Sequence, residues 1–536
     1  MQGHSTESIL LPYLQPIKRF KAMPTSQSPF DAAFDTLVEN ALEEWKIPGI
    51  SVAVVHNEET FSKAYGIAEF PDRKMTTDTL FPAASTTKAF TAAATSLVIQ
   101  DSKDTSSPID WETSISSIIP EDFVLSDDHA TKHTTLEDAL SHRSGLASHH
   151  YAVIYGDKDA TVQDTVRSLR RVPISAPPRT KFQYTNQMFI VMTHLLQKHT
   201  GEPLCSFLKK RIWDPLGMNE TYFSTEEAKK DPSSATKIVK GYTWIPEQGG
   251  GHWFEEPEAN WRPNTGGGSI VSNVLDYSRW VRELIHRTGP LKGHESLTLP
   301  RIFHYEAGDI NLPSPYHAYA LGWFVDNYRG QHLYSHSGGW PGYSSFVGFL
   351  PEKKFGFALM GNSNSARFLL FRLAILLMDR LLGPIDDPVL EEKMAEYFAQ
   401  HEKFKERTLK YHPEYMDAIK RKLFPSLADP PVPHTLQLEK YVGTYRHPAG
   451  DWVPVVLDED GNLGIDASQG AIPGYLSLTH ASGEFFVAKM KSSNLAAMEP
   501  VAAEFYIDVS GIVTKIGLSL EPALKGEKIW FERSES

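Results

Sequence analysis

A serine and a lysine three residues apart, in Ser85-Thr86-Thr87-Lys88, open a stretch of small residues that runs to about Gln100. On a helix, residues i and i+3 share a face, so this spacing sets an ammonium beside a hydroxyl. A serine hydroxyl is a poor nucleophile until a neighbour removes its proton. A lysine pressed into a dry site has its pKa lowered enough to help. The start of a helix adds partial positive charge where an oxyanion would form. By itself the pattern is weak, because Ser206-Phe207-Leu208-Lys209 and Ser234-Ala235-Thr236-Lys237 repeat the spacing. Context singles out Ser85: it follows Phe81-Pro82-Ala83-Ala84 and precedes an apolar run that reads as a buried helix.

Two further groupings carry chemistry. Tyr184-Thr185-Asn186 stands just before a helix expected over Phe189 to His199. A phenol poised between lysine and serine can relay a proton, and an asparagine can hydrogen-bond a substrate amide or the lysine. His336-Ser337-Gly338-Gly339 lies in a strand-like stretch, where small residues let a substrate backbone approach closely. The similar His199-Thr200-Gly201 is set aside, because its glycine serves as a helix C-cap.

Taken in order, Ser-x-x-Lys, Tyr-x-Asn and His-x-Gly resemble the penicillin-recognising serine enzymes. The match is with the branch that holds class C β-lactamases, D-alanyl-D-alanine carboxypeptidases, D-aminopeptidases, related esterases and the lovastatin-type acyltransferase. Further stretches fit the resemblance: Ile47-Pro48-Gly49-Ile50, Leu140-Ser141-His142-Arg143-Ser144-Gly145-Leu146, Pro215-Leu216-Gly217-Met218, Gly266-Gly267-Gly268-Ser269 and Leu321-Gly322-Trp323. It extends from about Phe30 to Leu382. The resemblance implies that Ser85 is the nucleophile, Lys88 its activating partner, and Tyr184 the general base that later protonates the leaving group. It makes Asn186, His336, Gly338 and Gly339 substrate-binding, with the N–H groups of Ser85 and Gly339 as the oxyanion hole. It implies no metal and no cofactor.

One departure bears on substrate. His336 stands where β-lactamases usually have lysine, a permanent cation for the β-lactam carboxylate. An unperturbed imidazole, with a pKa of about 6.5, is mostly neutral in the cytosol. Esters, amides or thioesters with a less charged partner therefore fit better than β-lactams. The expected function is a serine hydrolase working through an acyl-Ser85 intermediate on a small-molecule or peptide-like substrate. The alternatives are an acyltransferase passing the acyl group to an alcohol or amine, and a non-catalytic binding protein on the same fold.

The elements that must position these residues read as an α/β (α+β) chain: a β-lactamase/transpeptidase-like antiparallel sheet flanked by helices, with an inserted helical region. A helix is expected over Phe30 to Trp45, and strands over Ile50 to Val55 and Thr60 to Gly66. Strands are expected again over Ala318 to Asn327 and Leu333 to Leu350, so one sheet is assembled from both ends of a large domain. Phe368 to Leu382 reads as a buried helix, and Leu390 to Leu423 as charged and helical. After Pro425, Pro430, Pro431 and Pro433, short alternating segments such as Trp452 to Leu457 and Ala503 to Val509 read as a small antiparallel β-barrel. Its Tyr441-Val442-Gly443-Thr444-Tyr445 looks like a lipocalin-like appendage. The expected organisation is an N-terminal arm (1–29), a catalytic domain (30–384), a helical linker (385–434) and the β-domain (435–536).

The 536 residues carry a net charge of −13, which argues against nucleic acid and against an anionic membrane surface. One cysteine, Cys205, permits no intrachain disulfide and is expected to be a small buried side chain. With no secretory start or spanning segment, the chain is expected to be cytoplasmic. His149-His150 is expected to lie at the surface without metal, and His142 to serve as a hydrogen-bonding scaffold residue. Tyr242, Trp244, Trp253, Phe254 and Trp261 either line a substrate mouth or pack a loop.

Overall fold

The strand Gly49–His56 is buried along its whole length, as its sequence Gly-Ile-Ser-Val-Ala-Val-Val-His suggests for a segment covered on both faces. It is central to a nine-stranded sheet in a computed structural model that describes residues 27–148, 159–258, 263, 265–304, 312–448, 452–470, 474–490 and 500–534. Most of the expected N-terminal arm, His149-His150 and Trp261 lie outside the described residues.

The chain divides into two compact units, one drawn from Met1–Ala94, Cys205–Glu256 and Ile270–Tyr411, the other from Thr95–Leu204, Pro257–Ser269 and His412–Ser536. In the first, the sheet runs Arg73–Lys74, Glu59–Glu69, Gly49–His56, Phe355–Gly361, Tyr343–Leu350, Gln331–Trp340, Phe324–Tyr328, His317–Tyr319, Ile302–Phe303. Every pairing is antiparallel, and early strands meet late ones in register from Ile50 with Gly361 to His56 with Phe355. The sheet is thus assembled from strands at both ends of a large domain, as expected.

Helices cover both faces. Ala32–Glu44 and Ala366–Leu382 bury Phe34, Val38, Leu369 and Leu373 against Ile50, Val52, Val54, Phe357 and Leu359. Pro388–Leu409 adds Met394, Tyr397 and Phe398, so Ala366–Leu382 is apolar nearly all round because it is enclosed. On the opposite pleat, helix Val274–His286 lies close enough for Val281 to reach Gly356, where a Cβ would meet it at 2.4 Å.

In the second unit, the buried helix Gln187–Thr200 is flanked by short helices that include Leu136–Leu140 and Val162–Ser168. His194 on it reaches Asp122 at 2.7 Å. Gly201 caps it in the left-handed conformation at φ 73°, the role expected from sequence. The C-terminal strands, from Gly443–Arg446 to Ile529–Arg533, form a closed eight-stranded barrel. Tyr445 pairs with Arg533 to join its first and last strands, and closure leaves no free edge. Among the described residues, no helix is long and apolar enough to cross a membrane.

Candidate active site

Ser85 sits in a turn fixed from several sides. Phe81–Pro82 pairs with Val271–Ser272, and the Ala83 N–H donates to the Ile270 carbonyl at 2.8 Å. Ala84 then takes a left-handed conformation at φ 49°, unusual for a residue with a Cβ. The 3₁₀ turn Ala84–Thr86 runs on into helix Thr87–Ser102. Two hydroxyls, Thr86 Oγ1 at 2.9 Å and Ser345 Oγ at 2.8 Å, donate to the Ala83 carbonyl. Thr86 Oγ1 in turn meets the buried Tyr277 hydroxyl at 2.8 Å.

The Lys88 Nζ lies 3.2 Å from Ser85 Oγ, and the lysine side chain is wholly buried. Burial disfavours the ammonium and holds the amine well below its usual range. A neutral amine can accept a proton from the serine hydroxyl. Gly322, at φ 77°, lies against this turn of helix: a Cβ there would meet the Lys88 carbonyl and the Ala89 nitrogen at 3.0 Å.

The two other Ser-x-x-Lys stretches differ in kind. Lys209 is exposed and pairs with Asp214 at 2.8 Å. Lys237 pairs with Asp78 at 3.0 Å and with Glu220, and the Glu220 hydrogen bond raises its pKa. Both lysines are more exposed than Lys88 and pair with carboxylates.

Strand Gln331–Trp340 brings the third motif to the same turn. Gly338 packs so closely that a Cβ would lie 2.3 Å from the Ala83 carbonyl oxygen and 2.2 Å from Ser345 Oγ. Gly339, on the other pleat, has open space where its Cβ would be. His336 shares the Gly338 face and is buried. Its Nδ1 is 2.7 Å from the Ser337 carbonyl, so that nitrogen carries the hydrogen; Nε2 then accepts from the Tyr319 hydroxyl at 2.9 Å. Burial first, and repulsion from Lys88 in its protonated form second, push the imidazole down to about 3.

Tyr184 and Asn186 belong to the second unit. Asn186 is the N-cap of Gln187–Thr200 without a side-chain capping bond, and its carbonyl accepts from the Phe189 N–H at 3.0 Å. His142, buried and left-handed at φ 58°, accepts the Thr185 N–H on Nδ1 at 3.1 Å. Its ring packs on Tyr184, Phe189 and Phe182. The scaffold role expected of His142 is therefore what the contacts show. In the glycine run, the Gly266 N–H donates to Thr193 Oγ1 at 2.9 Å.

The aromatic segment packs a hairpin. Tyr242–Glu247 pairs with Gly250–Glu255, Trp244 meets Trp253 edge-on at 5.3 Å, and Tyr242 meets Phe70 at 4.9 Å. The Tyr242 hydroxyl accepts the Phe70 N–H at 3.1 Å, so of the two expectations the packed loop describes these residues. Cys205 is half-buried rather than buried, because its short helix, Leu204–Leu208, turns that side toward solvent. Among the described residues, no group of three or more His, Cys, Asp or Glu is placed to hold a metal ion. Tyr319, Ser345 and Tyr277 escaped the sequence reading. Tyr319 stands only two residues before the quoted Leu321-Gly322-Trp323, but its partner His336 is seventeen residues away on another strand.

Comparison with known proteins agrees with this geometry. The family model "Beta-lactamase" matches residues 34–377, and a domain of unknown function, DUF3471, matches 427–533. The chain is 34% identical to "Unguisins hydrolase ungD'" of Aspergillus campestris over 95% of its own length and 93% of that protein. Among solved structures, the octameric penicillin-binding protein homologue from Pyrococcus abyssi aligns with a TM-score of 0.55 at 22% identity, covering 93% of this chain and 99% of that one. The D-amino acid amidase from Ochrobactrum anthropi SV3 complexed with L-phenylalanine aligns with a TM-score of 0.51 at 26% identity, covering 65% and 94%. The chain belongs to the beta-lactamase family of serine hydrolases.

Proposed function

We propose that this enzyme hydrolyses an amide or ester bond in a small-molecule or peptide-like substrate through a covalent acyl-Ser85 intermediate. The observation that carries the reading is the buried Lys88 amine 3.2 Å from Ser85 Oγ, in contrast to the more exposed lysines of the two other Ser-x-x-Lys stretches. In this reading residues 30–384 carry the catalysis, and the lipocalin-like domain 435–536 is an appended module.

Ser85 Oγ attacks the carbonyl carbon while Tyr184, with Lys88 as the activating partner, takes up its proton. The oxyanion is held by the N–H groups of Ser85 and Gly339. Tyr184 returns the proton to the leaving amine or alcohol as the carbon–heteroatom bond breaks. Water, activated by the same pair, then attacks the acyl-enzyme and frees Ser85. Asn186 orients the substrate amide, and Gly338 and Gly339 let its backbone approach. The roles of Tyr184 and Asn186 rest on the motif order. Hydrolysis rather than transfer is favoured by the hydrolase relative matched over nearly its whole length, and amide cleavage by the likeness to an amidase.

The test is intact-mass analysis and product release with p-nitrophenyl esters, amino-acid p-nitroanilides and a penicillin, using wild type and Ser85→Ala. The expected outcome is an acyl adduct on wild type alone, with turnover of esters and anilides. Turnover retained by Ser85→Ala would overturn the assignment. Acyl product diverted to an added amine or alcohol at the expense of hydrolysis would identify a transferase.

A further inference from the structure

The carbonyl of Ala83, two residues before Ser85, accepts from three donors. The backbone bond that closes the turn, from the Thr86 N–H, is long at 3.4 Å. Two side-chain hydroxyls hold the same oxygen more tightly, Thr86 Oγ1 at 2.9 Å and Ser345 Oγ at 2.8 Å. Thr86 has one hydroxyl hydrogen and spends it on Ala83, so the Tyr277 hydroxyl donates to Thr86 Oγ1 at 2.8 Å. Thr86, Ser345 and Tyr277 are all buried, and each stands on a different element.

Each anchor is itself fixed. Ser345 is the cross-strand partner of Gly338, and its hydroxyl lies 2.2 Å from where a Gly338 Cβ would project. The missing side chain at 338 is therefore the opening through which strand Tyr343–Leu350 reaches the serine turn. Tyr277, on helix Val274–His286, lies edge-on to Phe90 at 5.7 Å, and Phe90 stacks on Trp280 at 4.2 Å. Phe90 stands four residues beyond Thr86, so the helix that follows Ser85 is packed on the same support. From the other side, the Ile270 carbonyl accepts the Ala83 N–H at 2.8 Å, and the Ile270 N–H donates to Thr87 Oγ1 at 3.2 Å.

A peptide unit is planar, so fixing the Ala83 carbonyl fixes the plane that enters Ala84. Helix Thr87–Ser102 fixes the chain beyond Ser85. Ala84 must join the two, and does so at φ 49°. The peptide between Ala84 and Ser85 carries the Ser85 N–H, and its orientation follows from these two anchors. We propose that Ser345 and Tyr277 are positioning residues: their hydroxyls, one directly and one through Thr86, hold the Ala83 carbonyl so that the strained Ala84 aims the Ser85 N–H at a developing oxyanion. The proposal rests on the reading of Ser85 as nucleophile, with its N–H as one oxyanion donor. Because Ser345 also faces Gly338, it sets the serine turn against the strand that carries Gly339, the second donor. Without either hydroxyl, Ala84 relaxes toward an ordinary backbone, and the two N–H groups converge less well on the oxyanion.

The test compares p-nitrophenyl benzoate with its thiono counterpart, in which sulfur replaces the carbonyl oxygen. Both release p-nitrophenol, but sulfur is a poor acceptor for the two N–H groups, so the ratio of their kcat/KM values reports the oxyanion site. Each of Tyr277→Phe and Ser345→Ala removes one buried oxygen and no ring or backbone. Wild type is expected to favour the oxygen ester by about tenfold or more, and each variant to lose roughly tenfold on that ester, less than deletion of a donor outright. The loss should fall on kcat with KM little changed, and the thiono ester should change by less than about twofold, so that the ratio collapses. Melting temperatures confirm that the variants fold, and peptide mapping locates the benzoyl group. Equal losses on both esters, or a ratio unchanged in both variants while the benzoyl group sits on Ser85, overturn the positioning role alone. A benzoyl group absent from Ser85 in wild type overturns the nucleophile reading, and the positioning role with it.

Discussion

The imidazole of His142 lies against the phenol of Tyr184, ring centres 4.2 Å apart and planes inclined by 35°. The same residue holds the chain on both sides of that tyrosine: its carbonyl accepts the Gln183 N–H at 2.8 Å, and its Nδ1 accepts the Thr185 N–H at 3.1 Å. Three adjacent residues are thus held by one buried residue, through its ring and its carbonyl, in a left-handed backbone conformation. If Tyr184 carries protons, His142→Ala should lower kcat by about 10²-fold, the scale of a small misplacement of a catalytic group, with KM little changed. His142→Asn keeps an acceptor and tolerates the left-handed backbone, so it should fold and lose less. Steady-state kinetics on both variants, with melting temperatures, check this; equal losses in kcat and KM would point to a general loss of structure.

Gly338 and Gly339 should respond oppositely to one added methyl group. At Gly338 the Cβ would strike the Ala83 carbonyl, which is backbone and cannot swing aside. Gly338→Ala should therefore cut acylation by roughly 10²-fold, and adding Ser345→Ala should not restore it. Gly339→Ala meets open space and should keep its stability within about 0.5 kcal/mol, while discriminating against bulky acyl donors. Adduct formation followed by mass, with urea unfolding midpoints, separates the two.

Much of this arrangement was legible in the sequence, and the limits have a physical pattern. Local signals were read correctly: the helix Gln187–Thr200 with its Gly201 cap, the strand Gly49–His56, and Trp452–Leu457 in the barrel. Each depends on periodicity or on one residue's backbone freedom, which a short window contains. Strand Phe355–Gly361, which joins the two ends of the sheet, was not singled out, because its residues are apolar on both pleats and show no alternation. Ser85, Lys88, His336 and Gly338 were named from motif order. Tyr319 and Ser345 were not, because their importance comes from register across strands, which spacing along the chain does not encode.

Lys88 makes a testable thermodynamic statement. Burial holds its amine well below 10.5 in the folded chain, while the unfolded chain keeps the ordinary value. Between the two, the unfolded state binds a proton that the folded state lacks, so stability rises with pH through that window and is lower on its acid side. Lys88→Met removes the polar burial and should gain about 1–3 kcal/mol at pH 7, with a smaller gain at pH 9.5 and no turnover. Urea unfolding at both pH values measures this; a variant less stable than wild type at pH 7 would contradict the neutral amine.

Asp138 anchors the loop that carries His142. Its carboxylate, fully buried, accepts from Arg143 Nε at 2.6 Å, Arg179 Nη2 at 2.9 Å and the Thr135 N–H at 3.0 Å. Burial alone would raise this carboxyl, but the Arg179 hydrogen bond, the Thr135 contacts and the charge of Arg143 outweigh it and hold it below 3.8. A lowered carboxyl contributes stability that is present above the unfolded value and lost as pH falls through the folded one. Asp138→Asn should cost about 1–3 kcal/mol at pH 7, because it removes the charged acceptor of both arginines, while Arg143 keeps Glu137 and Arg179 stays half-exposed on the His133 carbonyl. The gap between variant and wild type should narrow below about pH 4. Unfolding midpoints across pH 7 to 3 check the sign.

Ala84 puts the residue before Ser85 in a conformation that L side chains resist, at φ 49°. A glycine there would relieve roughly 1–2 kcal/mol of backbone strain and give the turn freedom that alanine denies it. Laboratory evolution for heat tolerance would then draw position 84 toward glycine, while evolution for turnover would hold it at alanine. Sequencing the survivors of the two selections at this one codon would show what the strain is for.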